Sequence, residues 1–168
     1  SIVSVIVFGF ISAFLSGSAN PVTAHYLLMG MILWEVIRIT QYSMSVGALW
    51  NIWSRNLSNM FIAPLSLAEY MLAHMLSGAA KALVTFAGIS VLAFYIFGFN
   101  ILALGAANIL LFFANLTLFS WSTGIIILGI IFRYGTRIQA LAWGLIFLFQ
   151  PLTAAFFPVS ILPPALQT

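Results

Sequence analysis

The sequence has no cysteine and no aspartate, and five Lys or Arg and two Glu are the only fully charged residues among 168. Without cysteine there is no disulfide framework, no thiol nucleophile and no thiolate metal site. Glu35 and Glu69 are the sole carboxylate side chains and lie on separate segments, which leaves no carboxylate pair for acid–base work within one span. No G-x-x-x-x-G-K-[ST] phosphate loop, no G-x-S-x-G turn and no H-E-x-x-H helix occurs, so nothing in this chain hydrolyses ATP. His25 and His74 stand on different segments without a carboxylate at ligand spacing; they read as interfacial or hydrogen-bonded residues, and no metal site is expected.

What fills the space is apolar. Hydrophobic residues make up 64% of the chain and the mean hydropathy is +1.19. Soluble domains carry roughly a quarter charged residues, and the 4% here cannot clothe a surface in water. The expected solvent is lipid, and the expected fold class is an all-α polytopic membrane protein. A pI near 9.7 rests on a surplus of three scattered positive charges, which is no patch for nucleic acid. The chain opens at Ser1 inside the apolar run Ile2–Leu15, which lacks the basic flank of a signal peptide and reads as a chain cut at its N-terminus.

Crossing a hydrocarbon core of roughly 30 Å takes about 20 helical residues. On that measure five spans are expected, over about 1–15, 22–47, 67–98, 102–132 and 138–157. Ser16 to Pro21 forms the first break, and Phe97-Gly98-Phe99-Asn100 divides the charge-free stretch 82–132 into two helices. Pro158 and Pro163-Pro164 interrupt the end. Arg55, Arg133 and Arg137 fall in alternate connections, which places those connections and the N-terminus in the cytoplasm. An odd number of spans and the apolar start together suggest that a sixth span is missing, and the whole 1–168 reads as one transmembrane domain incomplete at both ends.

The segment Ala48–Tyr70 is neither a span nor an ordinary polar loop. Up to Pro64, Leu49, Trp50, Trp53, Leu57, Met60 and Phe61 recur at helical spacing opposite Asn51, Ser54, Arg55, Ser58 and Asn59, the pattern of an interfacial amphipathic helix. Its bland role is a membrane-surface anchor; its functional role is a docking surface. After the proline, Ser66-Leu-Ala-Glu69 fits a capping box that starts the next span, and Lys81, about 22 Å along that helix, snorkels toward its cytoplasmic end. Glu35 and Arg38 share a face of the second span and suit either a structural ion pair or a polar strip on a substrate route. Asn108, Asn115, Ser120, Ser122, Thr123 and Gly124 suit close helix packing.

The run from Asn51 through Arg55, Asn59 and Pro64 to Tyr70, an amphipathic helix, a break and a capped long span, resembles the permease subunits of ABC-2 type ABC transporters. The Pro-punctuated tail Pro151–Leu166 is similar to the family's re-entrant extracellular segment. The resemblance implies a permease of an ATP-driven exporter that pairs with a second permease copy and docks on cytoplasmic ATPase subunits. ATP and Mg would be bound there, with no cofactor in this chain. It implies that Ala48–Phe61 is the coupling helix, with Asn51, Ser54, Arg55, Ser58 and Asn59 facing the ATPase. It also implies that the spans facing the dimer axis carry Glu35, Arg38 and Gln150, and that the cargo is a polysaccharide, a lipid or a drug-like compound. The alternatives are an ion-coupled secondary transporter, which would want ionisable groups in corresponding spans of two halves, and a membrane-embedded lipid-modifying enzyme, which would want convergent polar groups near one interface.

Overall fold

The computed structural model describes residues 2–18, 21–62, 65–152 and 156, and among them every regular element is helical. The order is α1 (Ile2–Ser18), α2 (Pro21–Trp53), α3 (Leu57–Ile62), α4 (Leu67–Phe97), a 3-10 turn at Ile101–Leu104, α5 (Ala106–Tyr134), a second 3-10 turn at Gly135–Ile138, and α6 (Gln139–Leu152).

α2 is the axis of the bundle, because α1, α4, α5 and α6 all pack against it while α4 and α5 scarcely touch each other. Its 33 residues reach about 50 Å. Each buried cluster contains α2 residues: Leu28 and Ile32 with Ile89 and Ala93 of α4, Val46 and Leu49 with Ile127 and Ile131 of α5, and Trp34 and Ile37 with Ile146 of α6. α5 turns Thr117, Ser120, Thr123, Gly124, Ile127, Leu128 and Ile131 inward at helical spacing. The hydroxyls of Thr117, Ser120 and Thr123 bond carbonyls of their own helix, so this face is small and internally satisfied. Gly124 lets Met44 approach so closely that a Cβ there would lie 2.8 Å from the Met44 sulfur.

The expected all-α class agrees with this bundle, but the five spans do not. Two helical stretches of the described residues are long and apolar enough to cross a membrane, Leu67–Phe97 and Ala106–Gln150. The stretches expected as spans four and five both fall within the second of these, where the 3-10 turn at Gly135–Ile138 joins α5 to α6. α1 covers 17 residues, Ile2–Ser18, and is not one of the two. α2 is long enough, but Glu35, Arg38, Thr40, Gln41 and Ser45 dilute it, and its surface is largely buried in the protein. The physical reason is that an apolar run satisfies a protein core as well as it satisfies lipid. In Leu67–Phe97 and Ala106–Gln150 only 22% and 39% of the most apolar window is buried, so large side chains such as Leu76, Leu83, Leu110 and Leu111 face outward, where lipid contact would stabilise them.

The coupling-helix expectation is corrected as well. α2 does not stop near Gly47 but runs to Trp53, so the expected amphipathic helix is the last turns of α2, a bend at Ser54–Asn56, and the short α3. Leu49 belongs to the buried core while Trp50 is exposed, so the expected apolar stripe is not one membrane-facing surface. The re-entrant segment falls almost wholly outside the described residues.

Candidate functional site

Two places gather the polar residues singled out in the sequence. The first is the elbow between α2 and α4. Backbone bonds from Ser54 N to Trp50 O, Arg55 N to Ile52 O and Asn56 N to Asn51 O close the end of α2. The chain then turns through Arg55, whose φ of 54° is the sole positive value among the described non-glycine residues. An L-residue pays for that conformation sterically, and here it lies in the three-residue bend, residues 54–56, between α2 and α3. Ser54, Arg55, Asn56, Ser58 and Asn59 are all exposed. Asn51 is half-buried, and its Nδ2 donates to the Tyr70 hydroxyl at 3.0 Å, which ties the end of α2 to the start of α4. Trp50 and Trp53 stand edge to face, ring centroids 5.3 Å apart and both exposed, as suits aromatic groups at a membrane boundary.

The far side of the elbow is fixed by a complete capping box. Glu69 N donates to Ser66 Oγ at 3.2 Å, and Ser66 N donates to Glu69 Oε2 at 2.8 Å. Two otherwise orphaned N–H groups are thereby satisfied, and a carboxylate sits where the helix dipole favours it. Glu69 therefore has a structural task. At its other end α4 stops on Gly98, whose φ of 64° suits a left-handed cap.

The second place is the Glu35–Arg38 pair on α2. Arg38 Nη2 meets Glu35 Oε2 at 2.5 Å and Arg38 Nε meets Oε1 at 3.3 Å. The Glu35 side chain is 3% exposed and that of Arg38 23%. Gln41 and Ser45 continue the buried polar line, with Gln41 Nε2 donating to Ser45 Oγ at 2.8 Å and the carbonyl of Ala142 on α6 within 3.2 Å of Ser45 Oγ. Gln150 lies one turn beyond Ile146 on α6 and is half-buried. No carboxylate joins the two histidines, and the described residues hold no group of three or more His, Cys, Asp or Glu that could bind a metal.

Sequence reasoning did not single out the seam between α2 and α4. His74 Nδ1 lies 2.8 Å from the carbonyl of Ser43, which makes Nδ1 the protonated nitrogen, and Ser43 Oγ donates back to the His74 carbonyl at 3.4 Å. Gly47 and Gly78 make that closeness possible. The available signal was the small-xxx-small spacing of Ser43 and Gly47. No family model, curated protein or solved structure matches the chain.

Proposed function

We propose that this chain is the membrane-embedded subunit of an ATP-driven exporter of the ABC-2 permease type, with ATP and Mg bound by a separate cytoplasmic subunit. The observation that carries the reading is the elbow with its exposed Ser54, Arg55, Asn56, Ser58 and Asn59, set at the end of the helix against which most of the bundle packs. A partner that pushes on Arg55 would push α2, and α2 would move against α1, α4, α5 and α6 together. A rigid hub driven from one end is the mechanical requirement for switching access. The lack of a phosphate loop fits an energy source in another chain.

On this reading Ser54, Arg55, Ser58 and Asn59 meet the ATPase, whereas Asn51 holds α2 to α4. The elbow, the turn that carries Arg133 and Arg137, and the N-terminus lie in the cytoplasm of a multi-pass cell-membrane protein. A second permease copy, two ATPase subunits and the cargo complete the assembly, and Glu35, Arg38 and Gln150 would lie toward the cargo route or hold the bundle. The test is affinity purification from native membranes in mild detergent, followed by an ATPase assay. A soluble ATPase should accompany the protein. Recovery of the protein alone, without nucleotide hydrolysis, sinks the proposal.

A further inference from the structure

Between α2 and α4 lies an open cavity of ≈ 570 Å³, framed by Arg38, Tyr42 and Trp50 on one side and His74, Ser77 and Lys81 on the other. The two helices run antiparallel here, so Trp50 faces the start of α4 while Arg38 and Lys81 stand together at the deeper end. Lys81 has no carboxylate partner among the described residues. Both carboxylate side chains of the sequence are engaged elsewhere, Glu35 by Arg38 and Glu69 by Ser66. The Ser77 hydroxyl, one turn before Lys81, makes no hydrogen bond among the described residues. His74 is already committed through Nδ1 to Ser43.

The depth of this cavity decides what could neutralise it. Phe97, where α4 ends at the Gly98 cap, is about 24 Å from Lys81 along the helix. A core of roughly 30 Å measured from that end places Lys81 just inside the opposite boundary. Helical side chains tilt toward the N-terminus, so the ammonium reaches along the groove toward Ser77 and the boundary. An ammonium at that level without a counter-charge is costly. The cavity is lined mainly by carbon, with Ile39, Val46 and Ala73 among its walls, and the exposed Val84 stands one turn beyond Lys81 on the same face of α4.

We infer that this groove holds the phosphate of an anionic phospholipid, with Lys81 as its counter-ion, Ser77 as a hydrogen-bond donor, and the acyl chains along Ile39 and Val84. The apolar surface beside the cation favours a lipid over free phosphate, which would leave that surface unused. Arg38, whose charge Glu35 balances, closes the deep end. The inference is independent of the transport reading, because a chain that recruits no ATPase can still carry this lipid.

The full chain in detergent, probed by native mass spectrometry with phosphatidylglycerol, phosphatidylcholine or inorganic phosphate added, tests it. One favourably placed lysine at a membrane surface corresponds to a preference of about fivefold for the anionic lipid. Lys81→Gln should abolish that preference and Lys81→Arg should keep it. Ser77→Ala, a mild change on the same helix, should weaken it, and it decides the matter if Lys81→Gln fails to fold. Equal retention of both lipids, or an unchanged preference in Lys81→Gln or Ser77→Ala, overturns the site. Displacement of phosphatidylglycerol by millimolar inorganic phosphate overturns the lipid as its occupant.

Discussion

The imidazole of His74 occupies the space that a side chain on Gly47 would need: a Cβ on Gly47 would lie 2.8 Å from His74 Cε1 and 2.9 Å from Nδ1. One turn along the seam, a Cβ on Gly78 would meet Ser43 Cβ at 2.9 Å and the Thr40 carbonyl at 3.1 Å. Gly78→Ala therefore forces α2 and α4 apart, at a cost of about 1–3 kcal/mol from overpacking, against a helix-propensity gain of about 1 kcal/mol. Gly88→Ala, on the exposed side of the same helix, meets nothing within 4 Å and should not lower stability. Thermal unfolding of the two variants in one detergent should lower the midpoint for Gly78→Ala alone. Equal midpoints would show that the seam is loose.

Glu35 and Arg38 support a second prediction. Glu35→Gln leaves a guanidinium that is 23% exposed without its carboxylate. Breaking one partner of a buried pair costs about 3–5 kcal/mol, and the partial exposure of Arg38 puts this case near about 3 kcal/mol. Replacing both groups, Glu35→Leu with Arg38→Met, should recover most of the loss, since no orphaned charge remains. The readout is the fraction of protein that stays monodisperse after graded heating. A double variant no better than Glu35→Gln would mean that the pair holds the helix through more than charge balance.

The contacts of this bundle differ in how far the sequence disclosed them. Glu35 and Arg38 sit three apart on one helix, and Ser66 and Glu69 fill a four-residue motif, so local spacing was enough for both. The turn at Gly98 was legible for the same reason: its glycine interrupts a long apolar run and takes a positive φ. The expected limit of the second span at Gly47 is instead a point of close approach inside a helix that continues for six more residues to Trp53. The elbow was illegible because its left-handed residue is an arginine, which carries no turn signal, so helical periodicity runs straight through it. The number of spans was the largest miss. Leu28, Ile32 and Leu49 of α2 are as apolar as Leu83 or Leu111, yet the former are buried and the latter exposed, and only tertiary packing separates the two.

Ser66 carries the third prediction. Its hydroxyl accepts the Glu69 N–H, and its own N–H is satisfied by the Glu69 carboxylate. Ser66→Ala should cost about 0.5–2 kcal/mol, concentrated in the first turn of α4. Hydrogen exchange should quicken at the amides of residues 67–70 and stay unchanged near Ile89. Faster exchange spread evenly along α4 would mean that the box stabilises the whole bundle rather than one helix end.

Arg55 separates fold from function most cleanly, because the two demand opposite things of it. Its φ of 54° is strained for an L-residue and free for glycine. Arg55→Gly thus relieves about 1–2 kcal/mol of backbone strain, less about 0.4–1 kcal/mol for the greater freedom of the unfolded chain, so stability should hold or rise by about 1 kcal/mol. The same change removes the exposed guanidinium proposed to meet the ATPase. Purified Arg55→Gly should unfold no earlier than the parent protein yet bring down less ATPase activity from native membranes, and Arg55→Glu should bring down less still because it reverses the charge. If Arg55→Gly retains the full complement of ATPase, the elbow is a turn and no more, and the docking surface must be sought on α3 at Ser58 and Asn59.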